Sequence, residues 1–273
     1  MNPKAFGARS RVIVAIGPAS PDPAALTAAA QLAQSAGAEL AALFIEDINL
    51  LRLAELPFAQ EIGMASATMR RLVSADVERA LKRQAGELRH ALAETAHAVR
   101  LEWTFGTARG RTTRVLLEAA GEGDFVVLAS TAVRTLPHAT LASGVSSALR
   151  ATLQAAKPRR TRTVAAVLQP GPGTLKVLVA AQQLAQSSAA DLMLFLAGAQ
   201  DAKFLAMVEA WLGERGVAAR ITPLPGLEPA QVAQLAAGED ICAIFWPGDG
   251  VEDIEPEVVA LLEAISCPLV VVR

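Results

Sequence analysis

Short, continuous apolar runs alternate along this chain with longer stretches in which apolar residues return every third or fourth position. The first run, residues 11–16 (RVIVAI), carries no polar residue after its opening arginine, as expected for a strand covered on both faces. Gly17-Pro18 stops it. Asp22-Pro23 then marks a helix start, and Leu26, Ala29, Leu32, Ala33 and Ala36 continue at helical spacing until Gly37. Residues 39–45 predict the second strand. A long helix is predicted over 64–98, with Met69, Leu72, Val73, Val77, Leu81, Leu88 and Leu92 on one stripe and Gly86 as a candidate break. A third strand over 99–105, a helix over 113–120, a fourth strand over 124–129 and a last helix over 143–156 complete the first half.

The second half repeats the scheme. Strands are predicted at 163–168, 191–196, 217–222, 241–245 and 268–272, and helices at 175–186, 202–213, 229–237 and 256–265. The repetition is literal in places. Residues 28–40 (AAAQLAQSAGAEL) recur at 180–192 (AAQQLAQSSAADL), identical at nine of thirteen positions. The same offset of 152 carries Val12 onto Val164 and Pro18 onto Pro170 without a gap. Ala119-Ala120-Gly121-Glu122 likewise matches Ala236-Ala237-Gly238-Glu239, just before the fourth strand of each half. A period this long, occurring twice, means two related lobes rather than a solenoid of short repeats.

Apolar strands separated by helices argue for parallel sheets covered on both faces. The predicted fold class is therefore α/β: two tandem doubly wound parallel-sheet lobes, residues 1–157 and 158–273, related by internal duplication. Lobe one lacks a counterpart of the fifth strand. After Ala156, Lys157-Pro158-Arg159-Arg160 leads directly into lobe two and reads as a solvated link rather than a binding patch. The missing strand leaves lobe one with an edge that lobe two or another chain could cover.

With 273 residues, 52% of them hydrophobic, the chain can bury one large core or two modest ones. A formal charge of -2 gives no nucleic-acid footprint. Cys242 and Cys267 sit in or beside apolar runs and read as buried free thiols, not a disulfide scaffold. No apolar stretch reaches the ~18 residues of a membrane span. Lys4, Arg9 and Arg11 precede a run shorter than the ~7 residues of a minimal signal-peptide core. The expectation is a soluble cytoplasmic protein, with no membrane and no nucleic acid among its partners.

The order of strand, turn, helix ending in LAQSAGAEL, and strand in each lobe resembles the universal stress protein (UspA-like) family. So does the terminal Ile265-Ser266-Cys267-Pro268-Leu269-Val270-Val271-Val272, which is similar to that family's closing Cys-Pro-Val-Leu-Val-Val strand. The likeness covers nearly the whole chain as a tandem pair, and it implies an adenine nucleotide alpha hydrolase-like fold. Some members of the family bind ATP through G-x2-G-x9-G-[ST], the loop and helix start after the fourth strand. Glycines there let backbone N–H groups approach phosphates. In lobe one the spacing stands with every glycine replaced: Ala129-x2-Ala132-x9-Ala142-Ser143, with Ser130 and Thr131 also supplying hydroxyls. A Cβ at a position needing positive φ costs roughly 1 kcal/mol or more. The family also tends to carry an acidic residue at the end of the first strand. Gly17-Pro18 stands there in lobe one and Gln169-Pro170 in lobe two. What the resemblance leaves as a residual nucleotide or anion site is Gly17, Ala129, Ser130, Thr131, Ala132, Ala142 and Ser143.

In lobe two, Trp246-Pro247-Gly248-Asp249-Gly250 reaches the last helix without the long phosphate loop. Asp249, Glu252, Asp253, Glu255 and Glu257 follow. They read as acidic capping of a helix start, with a hard-cation site as the alternative. Either way they would repel a triphosphate. Arg109, Arg111 and Arg114, expected between strand three and helix three of lobe one, join Arg134 and His138 as either an anion site or a solvated basic loop. Residues 50–62 (LLRLAELPFAQEI) are apolar where a short loop would suffice. They read as a flap over the carboxyl edge, a surface for a partner helix, or packing for the long helix. His90 and His97, with Glu94 between them, have the wrong spacing for a metal pair and read as surface residues. No Ser or Cys sits in a nucleophile elbow. Trp103, Trp211 and Trp246 read as core or lobe contacts.

The expectation is a non-enzymatic, tandem universal-stress-protein-like regulator in stress adaptation. It would act through a protein partner, self-association or a small ligand, with no cofactor. One alternative keeps ATP or AMP in lobe one. Another is a structural assembly module.

Overall fold

The computed structural model of the chain describes residues 10–16, 23–62, 69–98, 100–129, 162–197, 201–248 and 254–273. Nine strands form one sheet in the order β5-β2-β1-β6-β11-β10-β7-β8-β9. Lobe one supplies β1 (Arg11–Ile16), β2 (Glu39–Asp47), β5 (Trp103–Gly110) and β6 (Phe125–Leu128). Lobe two supplies β7 (Thr163–Leu168), β8 (Asp191–Ala197), β9 (Ala219–Leu224), β10 (Ile241–Pro247) and β11 (Leu269–Val272). Each lobe thus runs 3-2-1-4, and only lobe two adds a fifth strand among the described residues. That strand closes both lobes. β11 pairs parallel with β10 and antiparallel with β6, matching Val270 with Val127 and Val271 with Val126. Because this junction is antiparallel, the strands of the two lobes run in opposite directions. Their carboxyl edges therefore lie at opposite ends of the sheet.

The eight described helices cover both faces, as strands without polar positions require. They are α1 (Pro23–Ala36), α2 (Ile48–Glu55), α3 (Ser74–Ala98), α4 (Thr112–Ala119), α5 (Thr174–Ser188), α6 (Ala202–Arg215), α7 (Pro229–Ala236) and α8 (Glu255–Ala264). Val12, Val14 and Ile16 point into one layer with α1, α3, α5 and α6. Ile13 and Ala15 point into the other with α4, α7 and α8. Both layers continue from one lobe into the other.

The best-preserved part of the repeat lies where the lobes meet. α1 packs against α5. The equivalent positions Ala25 and Val177, Ala28 and Ala180, Ala29 and Ala181, Leu32 and Leu184, and Ala33 and Ala185 are all buried. Small residues let the two helices approach closely, and the same patch is used by both lobes, as in an isologous dimer. Trp211 and Trp246 are buried in the two layers, and Trp103 packs at the margin of one.

Several boundaries differ from the sequence expectation. The helix predicted from residue 64 begins at Ser74. Met69 lies instead in β4 (Met69–Arg71), which pairs antiparallel with β3 (Gln60–Ile62). Gly86 does not break α3; it is exposed, with open space where a Cβ would stand. The strand predicted at 99–105 is displaced to Trp103–Gly110, because Arg100 (φ 55°) and Leu101 finish the preceding helix. The helix predicted at 143–156 lies outside the described residues.

Candidate functional site

In parallel α/β sheets ligands bind beyond the carboxyl ends of the strands, and here each lobe presents such an edge. At the lobe-one edge, Ala129 leaves β6 half-buried and packed against the core on the α1 face. Gly17, Ser130, Thr131, Ala132, Ala142 and Ser143 lie outside the described residues, as do Arg134 and His138.

The arginines are placed differently from the sequence expectation. Arg109 belongs to strand β5 itself, opposite Glu46 of β2. Its Nε donates to Glu46 Oε2 at 2.5 Å, and its Nη2 lies 3.7 Å from Glu78 Oε1 on α3. The hydrogen bond from Arg109 to Glu46, with the charge of that carboxylate, holds the guanidinium firmly protonated. Two carboxylates thus already face this cation. Arg114 sits within α4, where its Nε donates to Glu118 Oε1 at 2.7 Å. Arg111 is exposed at the N-cap of α4 and makes no side-chain cap there. The three arginines therefore do not converge on one point. Sequence spacing could not reveal this, because Glu46 and Glu78 are far away along the chain.

At the lobe-two edge the loop positions are occupied by the protein itself. Gly248, directly after β10, donates its N–H to Val272 O at 2.8 Å. A Cβ there would stand 2.8 Å from both Val271 Cγ1 and Val272 O. The glycine is needed for close approach, but what approaches is strand β11, not a ligand. After β7, Thr174 Oγ1 donates to Gly171 O at 2.9 Å and also to Gln169 O, closing that loop on itself. Glu255 and Glu257 occupy the first turn of α8, where negative charge complements the helix start. Asp249, Glu252 and Asp253 lie outside the described residues. Among the described residues no group of His, Cys, Asp and Glu is arranged to hold a metal ion. His90 and His97 are exposed on α3.

One further feature was not foreseen. An open cavity of about 380 Å³ lies at the amino ends of the lobe-two strands, lined by Thr163, Asp191, Leu192, Met193, Arg220 and Glu239. Arg220 and Glu239 pair across it at 2.7 Å. The apolar 50–62 segment divides into an inner and an outer side. Leu51, Ala54 and Ala59 are buried against the core with Leu72, Val77 and Leu81. Leu53, Leu56 and Phe58 face outward. Cys242 and Cys267 are free thiols, and burial pushes the Cys242 thiol up, keeping it protonated. No described helix is long and apolar enough to cross a membrane.

No family model matches the chain, and no curated protein matches it. Solved structures do. A universal stress protein from Archaeoglobus fulgidus DSM 4304 aligns over 96% of either chain at 12% identity, with a TM-score of 0.57. A putative universal stress protein from Pseudomonas aeruginosa UCBPP-PA14 aligns over 97% of this chain and 93% of its own at 14% identity, with a TM-score of 0.48. At such identities the likeness is one of fold.

Proposed function

We propose, on the premise that this chain has the fold of the universal stress proteins, that it is a non-enzymatic regulator in stress adaptation that works through a protein partner. In this reading it has lost the nucleotide. One observation carries the proposal. In lobe two the Gly248 N–H that follows β10 donates to the Val272 carbonyl of β11, so this backbone donor is already used within the sheet and not offered to a phosphate. The acidic first turn of α8 adds repulsion toward an anionic ligand. Lobe one is argued from sequence: each glycine of the family's phosphate motif is an alanine, at Ala129, Ala132 and Ala142. Of the arginines at its described edge, Arg109 is engaged by Glu46 and Glu78, and Arg114 by Glu118.

The rival reading, in which the chain is only an assembly module, was motivated by an open edge on lobe one. β11 fills that edge from within the same chain, which favours regulation over assembly. The proposal is tested by incubating the purified protein with Mg-ATP and following ADP release. Release no faster than the buffer blank is expected. Turnover that disappears on substituting Ser143 would overturn it.

A further inference from the structure

The duplication supplies an internal control for every loop. In lobe two the chain passes from β8 to α6 through residues 198–201; in lobe one it passes from β2 to α3 through residues 48–73. The same crossover is therefore built in one lobe without the insertion, so the fold does not require it. The insertion is nevertheless well anchored. The Ala59 N–H donates to Leu56 O at 3.1 Å, and the Leu72 N–H to Ala59 O at 2.9 Å, tying α2 to the β3–β4 hairpin. Its inner residues join the core, as described above.

Its outer side is unusually apolar. Of the eight large hydrophobic side chains exposed among the described residues, five lie here: Leu53, Leu56, Phe58 (74% exposed), Met69 (65%) and Val73. The Leu56–Ala59–Leu72 backbone bonds bring the two halves of this set together. Three exposed arginines, Arg52, Arg70 and Arg71, stand beside them against one exposed carboxylate among the described side chains, Glu55, in a chain whose net charge is -2. Clustered apolar, aromatic and Met side chains with Arg at the rim match the composition of protein interfaces. A second copy laid on the same face would bring together two surfaces of like net charge, which disfavours self-docking.

We infer that the outer face formed by Leu53, Leu56, Phe58, Met69 and Val73 is a docking surface for an acidic amphipathic helix of a partner protein. Apolar residues of that helix would cover Leu53, Leu56, Phe58 and Met69, and its carboxylates would meet Arg52 and Arg71. This rests on the reading of the chain as a partner-binding regulator and specifies its surface.

The probe is a labelled 18-residue helical peptide with leucines on one face and glutamates on the other, titrated with the full chain by fluorescence anisotropy. Binding is expected, at least tenfold tighter than for the same peptide carrying lysines. Phe58→Ser and Arg71→Glu should each weaken it at least tenfold without lowering the melting temperature, since both side chains are exposed. Equal binding of the lysine peptide, no binding of the glutamate peptide, or indifference to Phe58→Ser overturns the inference. So does flotation with anionic vesicles in place of peptide binding, or a dimer dissolved by Phe58→Ser. Photo-crosslinking residues placed in cells at positions 58, 175 and 235 separate the two levels of the argument. Adducts at 175 or 235 but not at 58 sink the flap and leave the partner reading standing. Adducts at none of the three sink both.

Discussion

Asp124 is the one charged residue buried among those described, 4% exposed, and its position explains why. It precedes β6 and accepts from the Arg11 N–H at 3.0 Å, from Arg11 Nε at 3.1 Å and from the Gly121 N–H at 2.9 Å. Burial alone would raise its pKa, but these bonds outweigh it and hold the carboxyl below the usual range. Its contribution to stability is then full at neutral pH and is lost as the pH falls below about 4, through the depressed folded value. Asp124→Ala should cost about 2–3 kcal/mol in denaturant unfolding at pH 7, and clearly less near pH 3. A second residue-scale prediction comes from the sequence repeat. Gly37 (φ 63°) and Ala189 (φ 50°) are equivalent, and both end their helices in the left-handed region. Ala189 carries a Cβ there that Gly37 does not, so Ala189→Gly should stabilise the protein by about 0.5–1 kcal/mol, read from the denaturation midpoint. The equivalence of these residues was legible in the aligned repeat. The Arg11–Asp124 pair was not, because it joins residues far apart along the chain.

Four of the helices that cross between strands, α1, α3, α5 and α6, share one way of ending. Ala38, Leu101, Ala190 and Val217 donate their N–H groups to Ala33, Ala96, Ala185 and Leu212, each five residues back, after a left-handed residue. This is the Schellman closure, and its last residue is often apolar. That closure explains where the strand prediction slipped. Leu101 and Val217 look like strand residues but belong to caps, so β5 and β9 begin two or more residues later than their apolar runs suggest. Both are edge strands with a neighbour on only one side, and their later residues, such as Thr107 and Arg109, are free to be polar. The inner strands, apolar between their ends, were legible nearly to the residue. The contact of α1 with α5 carries the clearest repeat, and it makes a further prediction. Ala181→Leu adds bulk between two helices that meet through small residues. It should cost about 1–3 kcal/mol and lower the melting temperature, whereas the same change at exposed Ala189 should not act through packing.

At the scale of the whole molecule, one strand holds the two lobes in a single sheet. Leu269, Val270, Val271 and Val272 are almost wholly buried, β11 pairs on both sides, and the last residue is fixed as well: the Arg273 N–H donates to Asp124 O at 3.0 Å. A chain shortened before Pro268 would expose the β6 and β10 edges together. It should self-associate on size-exclusion chromatography; a shortened chain that remains monomeric with an unchanged melting temperature would contradict this arrangement. An open edge on lobe one was legible in the sequence as an expectation. That the strand of lobe two fills the gap was not, since nothing local in residues 269–272 distinguishes one neighbour from two. The candidate site rests in the sequence on a departure from a motif, the alanines at 129, 132 and 142, of which only Ala129 is among the described residues, whereas the bond from Gly248 to Val272 depends on three-dimensional pairing. The most direct test of the account is isothermal calorimetry of ATP and of AMP against the full chain. It predicts no binding heat with either nucleotide at millimolar concentration, whereas saturable binding in the micromolar range would show that a nucleotide site persists and would contradict it.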